Sequence, residues 1–469
     1  MGTVSGGVGI GSCPGNGGVG STIGGTVPGV KSGMLMAGCS FAGLDAIRTG
    51  PGRFRALSHP WTHAAKPAKA LLMTEIEIDV LGRDGDGIAR LGTHNLYVPF
   101  TLPGERLIAD YDGERGTLAE LLRPSPDRVA PPCPYFGTCG GCALQHMAPA
   151  AYQAFKRELV ADALRQADIS TDIAPLVDAT ASGRRRATLH IRKEGTGYMR
   201  ARSHDVLDIA RCLILAPGLA ERAPAIARAL GPLTGASEAA FTLTDTGIDL
   251  SITSERKLKP QPFAEFAQKA GLARFVFNGE AVYMSRPPTV RMGKSLVEIP
   301  PASFLQATAS AEDALAALVV AGVGAAKSVA DLFSGAGPFA LRLAEQSRVY
   351  AADSDRPAIA ALQKAVNHTR GLKPVTAQVR DLFRDPLAPI ELKPFDAVVF
   401  DPPRAGAEKQ AAELARSAVK TVVGVSCDPK SFARDAAILI AGGYRLTTVT
   451  PVDQFAFSTH VELVGVFRR

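Results

Sequence analysis

The sequence predicts an α/β protein whose carboxyl-terminal part is a doubly wound sheet, preceded by a small OB-like β-barrel and a central α+β domain carrying a cysteine group. Three observations predict it. From about Ser303 onward, strand-length apolar runs alternate with helical stretches, the pattern of a largely parallel sheet with crossover helices. Between Glu75 and Leu122 lie short alternating runs separated by glycine-rich turns, as in small barrels. Between these parts come Cys133, Cys139 and Cys142, with Cys212 further on.

Residues 1–72 contain 17 glycines and no periodic apolar pattern. Such a composition buries too little surface to offset the entropy of ordering, so the segment reads as disordered. Regular patterning begins at Met73, the expected native start. Residues 73–125 form the barrel. Ile76, Ile78 and Val80 alternate with Glu75, Glu77 and Asp79, a half-buried strand; Gly82–Gly87 turns the chain, and strands follow at Leu96–Phe100, Arg106–Asp110 and Thr117–Leu122. Residues 126–300 mix helix (Ala151–Gln166, Gly218–Leu230) with strand (Ala187–Arg192, Phe241–Ile252). Arg184, Arg185 and Arg186 make one basic patch there, read either as a solvated run or as a phosphate contact. Residues 301–469 carry strands at Ser328–Phe333, Arg348–Ala352, Val375–Val379, Phe395–Phe400, Thr421–Val425, Tyr444–Val449 and His460–Phe467.

The formal net charge is +7, but its location removes most of its meaning. Residues 1–72 hold six basic side chains against Asp45 alone, which leaves +2 for the rest of the chain. Global charge therefore identifies no partner. The longest apolar run, Ala314–Ala326, is 13 residues, short of the roughly 20 that span a bilayer. A chain of this size needs no disulfide staples, so grouped cysteines point to metal or cluster ligation in a reducing cytoplasm. The expectation is a cytoplasmic monomer without membrane attachment.

Two adjacent strands end in chemistry. Phe395–Phe400 runs into Asp401-Pro402-Pro403-Arg404, and Thr421–Val425 into Ser426-Cys427-Asp428-Pro429. Open α/β sheets bind ligands at such carboxyl edges, and Cys427 there is a candidate thiolate nucleophile. The first strand leads into Asp331-Leu-Phe333-Ser-Gly335-Ala-Gly337, whose glycines admit a ligand close to the backbone. Asp353 ends the second strand, where a carboxylate grips ribose hydroxyls. The glycine pattern also fits a dinucleotide fingerprint. Asp331 decides against that reading: a carboxylate at this point repels a pyrophosphate but suits the cationic methionyl group of S-adenosylmethionine.

Taken together, these motifs resemble the bacterial RNA 5-methyluridine methyltransferases that carry an iron–sulfur cluster, the 23S rRNA uracil-5-methyltransferase family. The resemblance runs from Met73 to Arg469. It rests on Cys133-x5-Cys139-x2-Cys142 with Cys212, Phe304-Leu-Gln306, Asp331–Gly337, Asp401–Gly406, Ser426–Pro429 and His460-Val-Glu462. It implies a class I methyltransferase domain, a TRAM-like RNA-binding barrel and a 4Fe–4S cluster on Cys133, Cys139, Cys142 and Cys212. It implies further that Gln306, Phe333, Asp353 and Asp401 line the S-adenosylmethionine and target-base sites, with Cys427 as nucleophile and Glu462 as base. The implied partner is RNA, 23S rRNA ahead of tRNA. Asp428, where the family commonly has Asn, and Pro338, where it often has a polar residue, depart from the pattern.

The chemistry suits these residue types. Uracil carbon-5 is a poor nucleophile until a thiolate adds at carbon-6, and Glu462, a carboxylate interrupting an apolar strand, is costly there without a function. The first cysteine gap is five residues and Cys212 supplies a fourth thiolate, so the implied cluster is saturated and either structural or shaping the RNA surface; zinc on the same ligands is the competing reading. Three other functions compete: a tRNA uridine-5-methyltransferase, a non-covalent base N-methyltransferase, and an inactive RNA-binding iron–sulfur protein.

Overall fold

The computed structural model describes residues 72–255 and 261–469; the expectation of disorder placed on residues 1–71 lies outside them. The first strands, Leu72–Glu77, Val80–Leu81, Asp86–Leu91, His94–Pro99, Arg106–Asp112 and Arg115–Arg123, form one six-stranded sheet. Its two edge strands, Leu72–Glu77 and Val80–Leu81, are consecutive in the chain, so the sheet curls round on itself. It is a half-barrel rather than a closed one, because Gly82 ends the second strand after two residues. Alternation drives it: Ile76, Ile78, Leu96, Val98 and Leu107 point into one small core. The strand Asp86–Leu91 escapes the sequence reading because Asp86, Gly87 and Arg90 interrupt its apolar pattern.

A seven-stranded sheet follows, built from Arg186–Arg192, Gly195–Met199, Val206–Asp208, Ser237–Thr244, Gly247–Thr253, Arg274–Phe277 and Glu280–Met284. The run Phe241–Ile252, read from sequence as one strand, is a hairpin in which Thr244 pairs with Gly247. Asp245 and Thr246 form the turn, and Gly247 takes a φ of 130° there.

The third sheet positions the chemistry. Its strands are β1 (Ser328–Leu332), β2 (Arg348–Asp353), β3 (Val375–Val379), β4 (Ala397–Phe400), β5 (Thr421–Ser426), β6 (Arg445–Asp453) and β7 (Glu462–Arg468). They lie in the order β3-β2-β1-β4-β5-β7-β6, with Val177–Asp178 added beyond β6. Strands β1 to β5 are parallel and β7 is antiparallel. Every residue of β1, β4 and β5 is buried, as expected for strands covered on both faces. Helices α2 (Ala309–Val323) and α3 (Arg356–His368) pack into the core on one face; α4 (Glu408–Ala415) and α5 (Pro429–Ala441) pack into the core on the other. Helix α1 (Pro149–Arg165) joins the second core through Val160, Ala163 and Leu164. No helix among the described residues is long and apolar enough to cross a membrane.

One packing detail fixes the turn after β5. Gly424 on β5 pairs with Gly465 on β7, and Phe432 of α5 lies over this pair, 2 % exposed. A Cβ on Gly465 would stand 2.3 Å from the Phe432 ring, and one on Gly424 would stand 2.9 Å from Phe400. The bare backbone lets the ring sit flat on the sheet and so sets the first turn of α5, which begins directly after Cys427. We predict that Gly465→Ala destabilises the protein by about 1–3 kcal/mol, the usual cost of overpacking a core. Phe432→Leu added to it should recover part of the loss, as measured by thermal or urea unfolding.

Candidate active site

The carboxyl ends of β1, β2, β4 and β5, together with the start of β7, converge on one region. The loop after β1 is tightly wound: Phe333, Gly335 and Gly337 all have positive φ, at 62°, 52° and 95°. Gly337 has no room for a side chain, since a Cβ would lie 2.5 Å from Leu362. Asp353, at the end of β2, accepts the Gly335 N–H at 2.9 Å and the Asp355 N–H at 2.8 Å. These bonds hold the glycine loop against the tip of β2. The Phe333 ring stands 5.4 Å from Phe383, which is partly exposed.

Asp331 is fully buried, and neither carboxylate oxygen meets a donor in hydrogen-bond geometry, the only help being the nearby Ala340 amide. Burial, with Asp401 and Asp353 close by, drives its pKa well above the carboxylate range. Unpaired carboxylates of this kind are expensive. The site therefore gathers carboxyl groups whose ionisation burial resists, and Asp331 has no cation paired with it.

Gln306 and Glu462, far apart in sequence, belong to one hydrogen-bonded chain. The Gln306 amide donates to Asp401 Oδ2 at 3.2 Å. Gln454 donates from one amide nitrogen both to Gln306 Oε1 and to Glu462 Oε1, each at 2.8 Å, and accepts the Ala307 N–H at 2.6 Å. Desolvation pushes Asp401 up to about 7 despite the Gln306 bond, and pushes Glu462 up to about 8 with help from Asp401. Gln454 was missed in the sequence. The available signal was Asp453-Gln454, a polar pair ending an apolar strand, as at Asp401 and Ser426.

Cys427 lies partly exposed at the end of β5 and opens on a cavity of about 360 Å3. Burial, Glu462 and Asp401 push its thiol up to about 12, against the lowering effect of Arg404. Asp428, the departure noted above, caps α5 by accepting the Lys430 and Ser431 N–H groups at 3.0 and 2.9 Å. His460 receives Arg404 Nη2 at 3.0 Å and is held neutral by burial and by the cations around it.

The loop bearing Gln454 and His460 is anchored from behind. Lys156 of α1, wholly buried, donates to Asp453 Oδ1 at 2.5 Å, to the Phe455 carbonyl at 3.0 Å and to the His460 carbonyl at 2.8 Å. Tyr152 donates to Asp453 at 2.6 Å. The basic patch divides its work. Arg185 is buried against Glu312 at 2.5 Å and the Gln306 carbonyl at 3.0 Å, whereas Arg184 lies over Phe455 and Arg186 over the exposed Phe304.

Cys133, Cys139, Cys142 and Cys212 all line a second pocket, of about 150 Å3. Burial and mutual repulsion raise the thiols of Cys139 and Cys212, and bring Cys142 to about 11. Among the described residues no group of three or more His, Cys, Asp or Glu is set to hold a metal ion. The four thiols share one pocket.

A family model described as tRNA (uracil-5-)-methyltransferase matches residues 292–469. An uncharacterized RNA methyltransferase of Brucella suis is 46% identical over 405 residues, covering 84% of this chain and 98% of that one. The 23S rRNA (uracil(1939)-C(5))-methyltransferase RlmD of Alkalilimnicola ehrlichii is 31% identical over 432 residues, covering 84% and 96%. The chain belongs to the RNA uracil-5-methyltransferase family. It is a transferase acting on RNA, and its fold agrees: the tRNA (uracil-54, C5)-methyltransferase of Pyrococcus abyssi superposes with a TM-score of 0.66 at 23% identity, covering 84% of this chain and all of that one.

The raised carboxyls of this methyltransferase carry a pH signature. A carboxyl whose folded pKa lies above its unfolded value contributes stability that is complete below about 4.5 and lost as pH rises toward the folded value. Glu462 and Asp401 should therefore make the protein lose stability between about pH 5 and 8. Glu462→Gln should flatten that decline, and unfolding midpoints measured across this range will show it.

Proposed function

We propose that this enzyme methylates carbon-5 of a uridine in 23S rRNA, with S-adenosylmethionine as donor and Cys427 as a covalent nucleophile. The observation that carries the reading is the meeting of Cys427, Glu462, Asp401 and Gln306 at one sheet edge. The relative named as a 23S rRNA enzyme, at 31% identity, supports ribosomal RNA over tRNA.

The fit to the donor rests on charge. Asp331 and Asp401 offer buried carboxyls without a cation, and Asp353 fixes the glycine loop. A sulfonium and an ammonium entering among them would relieve their repulsion and favour their ionised forms. S-adenosylmethionine supplies an activated methyl group, and the chain's part is to align it with the base.

The target base must leave its stack to reach Cys427. The thiol gives its proton to solvent through the open cavity, and Sγ bonds to carbon-6 as the carbon-5–carbon-6 electron pair moves onto the carbonyl at carbon-4. Carbon-5 then takes the methyl group, with the bonding pair of the donor's carbon–sulfur bond staying on sulfur. Glu462, in its carboxylate form, removes the carbon-5 proton; the electron pair restores the double bond and expels Sγ. A carboxyl raised to about 8 is a stronger base than an ordinary one. Gln454 points the amide that aligns it.

For the four grouped thiols we propose a 4Fe–4S cluster. Their shared pocket and the sequence spacing Cys133-x5-Cys139-x2-Cys142 with Cys212 support it. Bound iron would hold the thiols as thiolates in spite of their burial. No step of the reaction passes through it.

Four measurements test these readings. Cys427→Ala should abolish both methylation and the adduct with 5-fluorouridine RNA, whereas activity retained by this variant would establish non-covalent attack. Glu462→Gln should still add to RNA and accept methyl but release product slowly, so that a stable protein–RNA complex accumulates on denaturing gels; 5-methyluridine mapped in rRNA and tRNA of a deletion strain identifies the substrate. Anaerobically purified protein should contain about four iron and four sulfide per chain, and Cys212→Ser should lose both; zinc in their place would overturn the cluster.

A further inference from the structure

The cavity at Cys427 does not include the acid–amide chain: Gln306, Asp401 and Glu462 are absent from its walls, as is Phe333. It borders the sulfur, and five parts of the chain line it, three of which bring a cation. Arg83 comes from the half-barrel turn, Arg404 from the loop after β4, and Lys430 from the first turn of α5. Among the described residues none of these three cations forms an ion pair, and the Arg404 side chain is hydrogen-bonded only to the His460 ring.

Three acids also line the cavity. Asp162 is paired with Arg165 and Asp428 is committed to the amides of α5, which leaves Asp84 against three unpaired cations. Leu159 and Val461 give the cavity apolar wall as well. Its volume, about 360 Å3, is of the size that accepts a small ligand or one nucleotide. The half-barrel turn is seated closely here, since a Cβ on Gly85 would touch Thr459 at 3.0 Å.

The electrostatics give this cavity a reason. RNA is a polyanion, and a uridine brought to Cys427 carries a phosphodiester on each side within one nucleotide of the sulfur. The buried carboxyls of Asp331, Asp401 and Glu462 give those phosphates no countercharge. The three unpaired cations beside Cys427 supply it and hold the backbone in register while the base is inserted. We infer that the cavity formed by Arg83, Arg404 and Lys430 seats the phosphodiester adjoining the target uridine. The half-barrel thus supplies part of the catalytic cavity itself. This inference rests on the uridine methylation proposed above.

The test uses the full chain and a synthetic RNA spanning the uridine mapped in the deletion strain, with 5-fluorouridine at that position. The linkages flanking it are made either as phosphodiesters or as neutral methylphosphonates. With the natural enzyme, neutral linkages should slow adduct formation roughly tenfold, the effect of about one charge-assisted contact. Arg83→Ala combined with Lys430→Ala, both at exposed positions, should slow it similarly on ordinary RNA and lose less than about twofold more on neutral RNA. Its salt dependence of binding should also fall by about one unit of slope per contact. An enzyme indifferent to neutral linkages, or a double variant that keeps the full penalty, would overturn the phosphate site. Failure of the natural enzyme to form any adduct would instead overturn the covalent mechanism.

Discussion

Four carboxyl groups, those of Asp331, Asp353, Asp401 and Glu462, crowd one edge of a sheet that has excluded water, and most of the surrounding structure answers their mutual repulsion. Burial alone raises three of them, and each makes its neighbours harder to ionise. Asp353 is stabilised by two backbone amides, and Asp401 and Glu462 by an amide chain through Gln306 and Gln454. Asp331 receives almost nothing. A fold under selection only for stability would neutralise such a residue. One that must attract a cationic donor and keep a strong base beside a thiol has reason to retain it.

The same crowding raises the Cys427 thiol to about 12, so the resting protein holds this thiol protonated. That protects the sulfur from indiscriminate alkylation and oxidation, which act on thiolates. On the mechanism proposed above, activation belongs to the complex with substrate and donor, when added positive charge shifts the balance. Reactivity here is a property of the assembled site.

The loop between β6 and β7 ties distant parts of the chain to this edge. Lys156 and Tyr152 grip it from α1, and the segment directly after Cys142 bonds to it, with the Ala143 and Leu144 amides both donating to the Phe457 carbonyl at 2.9 and 3.0 Å. The cysteine pocket thus reaches the loop that carries Gln454 through two backbone hydrogen bonds. The proposed cluster would act structurally through that connection, because ordering Cys142 would order its neighbours. Arg184, lining the same pocket and lying over Phe455, makes a second tie.

Sequence by itself determined the architecture of the catalytic sheet and the positions of Cys427, Asp401 and Glu462. Periodicity is local, and strands covered on both faces announce themselves as apolar runs that end in polar residues. The strands from Ser328 to the carboxyl terminus were legible to within a few positions for that reason, except that β6 extends four residues past Val449 to place Asp453 and Gln454. What sequence did not determine is which side chains meet. Gln454 sits 148 positions from its partner Gln306, Lys156 lies 297 from Asp453, and Arg83 shares a cavity with Lys430. No local pattern encodes these pairs. The division of labour within Arg184–Arg186 was likewise invisible, because burial of Arg185 against Glu312 arises only when α2 packs beside that strand. Tertiary structure alone decided the electrostatics, since a pKa depends on neighbours and on exclusion of water, and both come from folding.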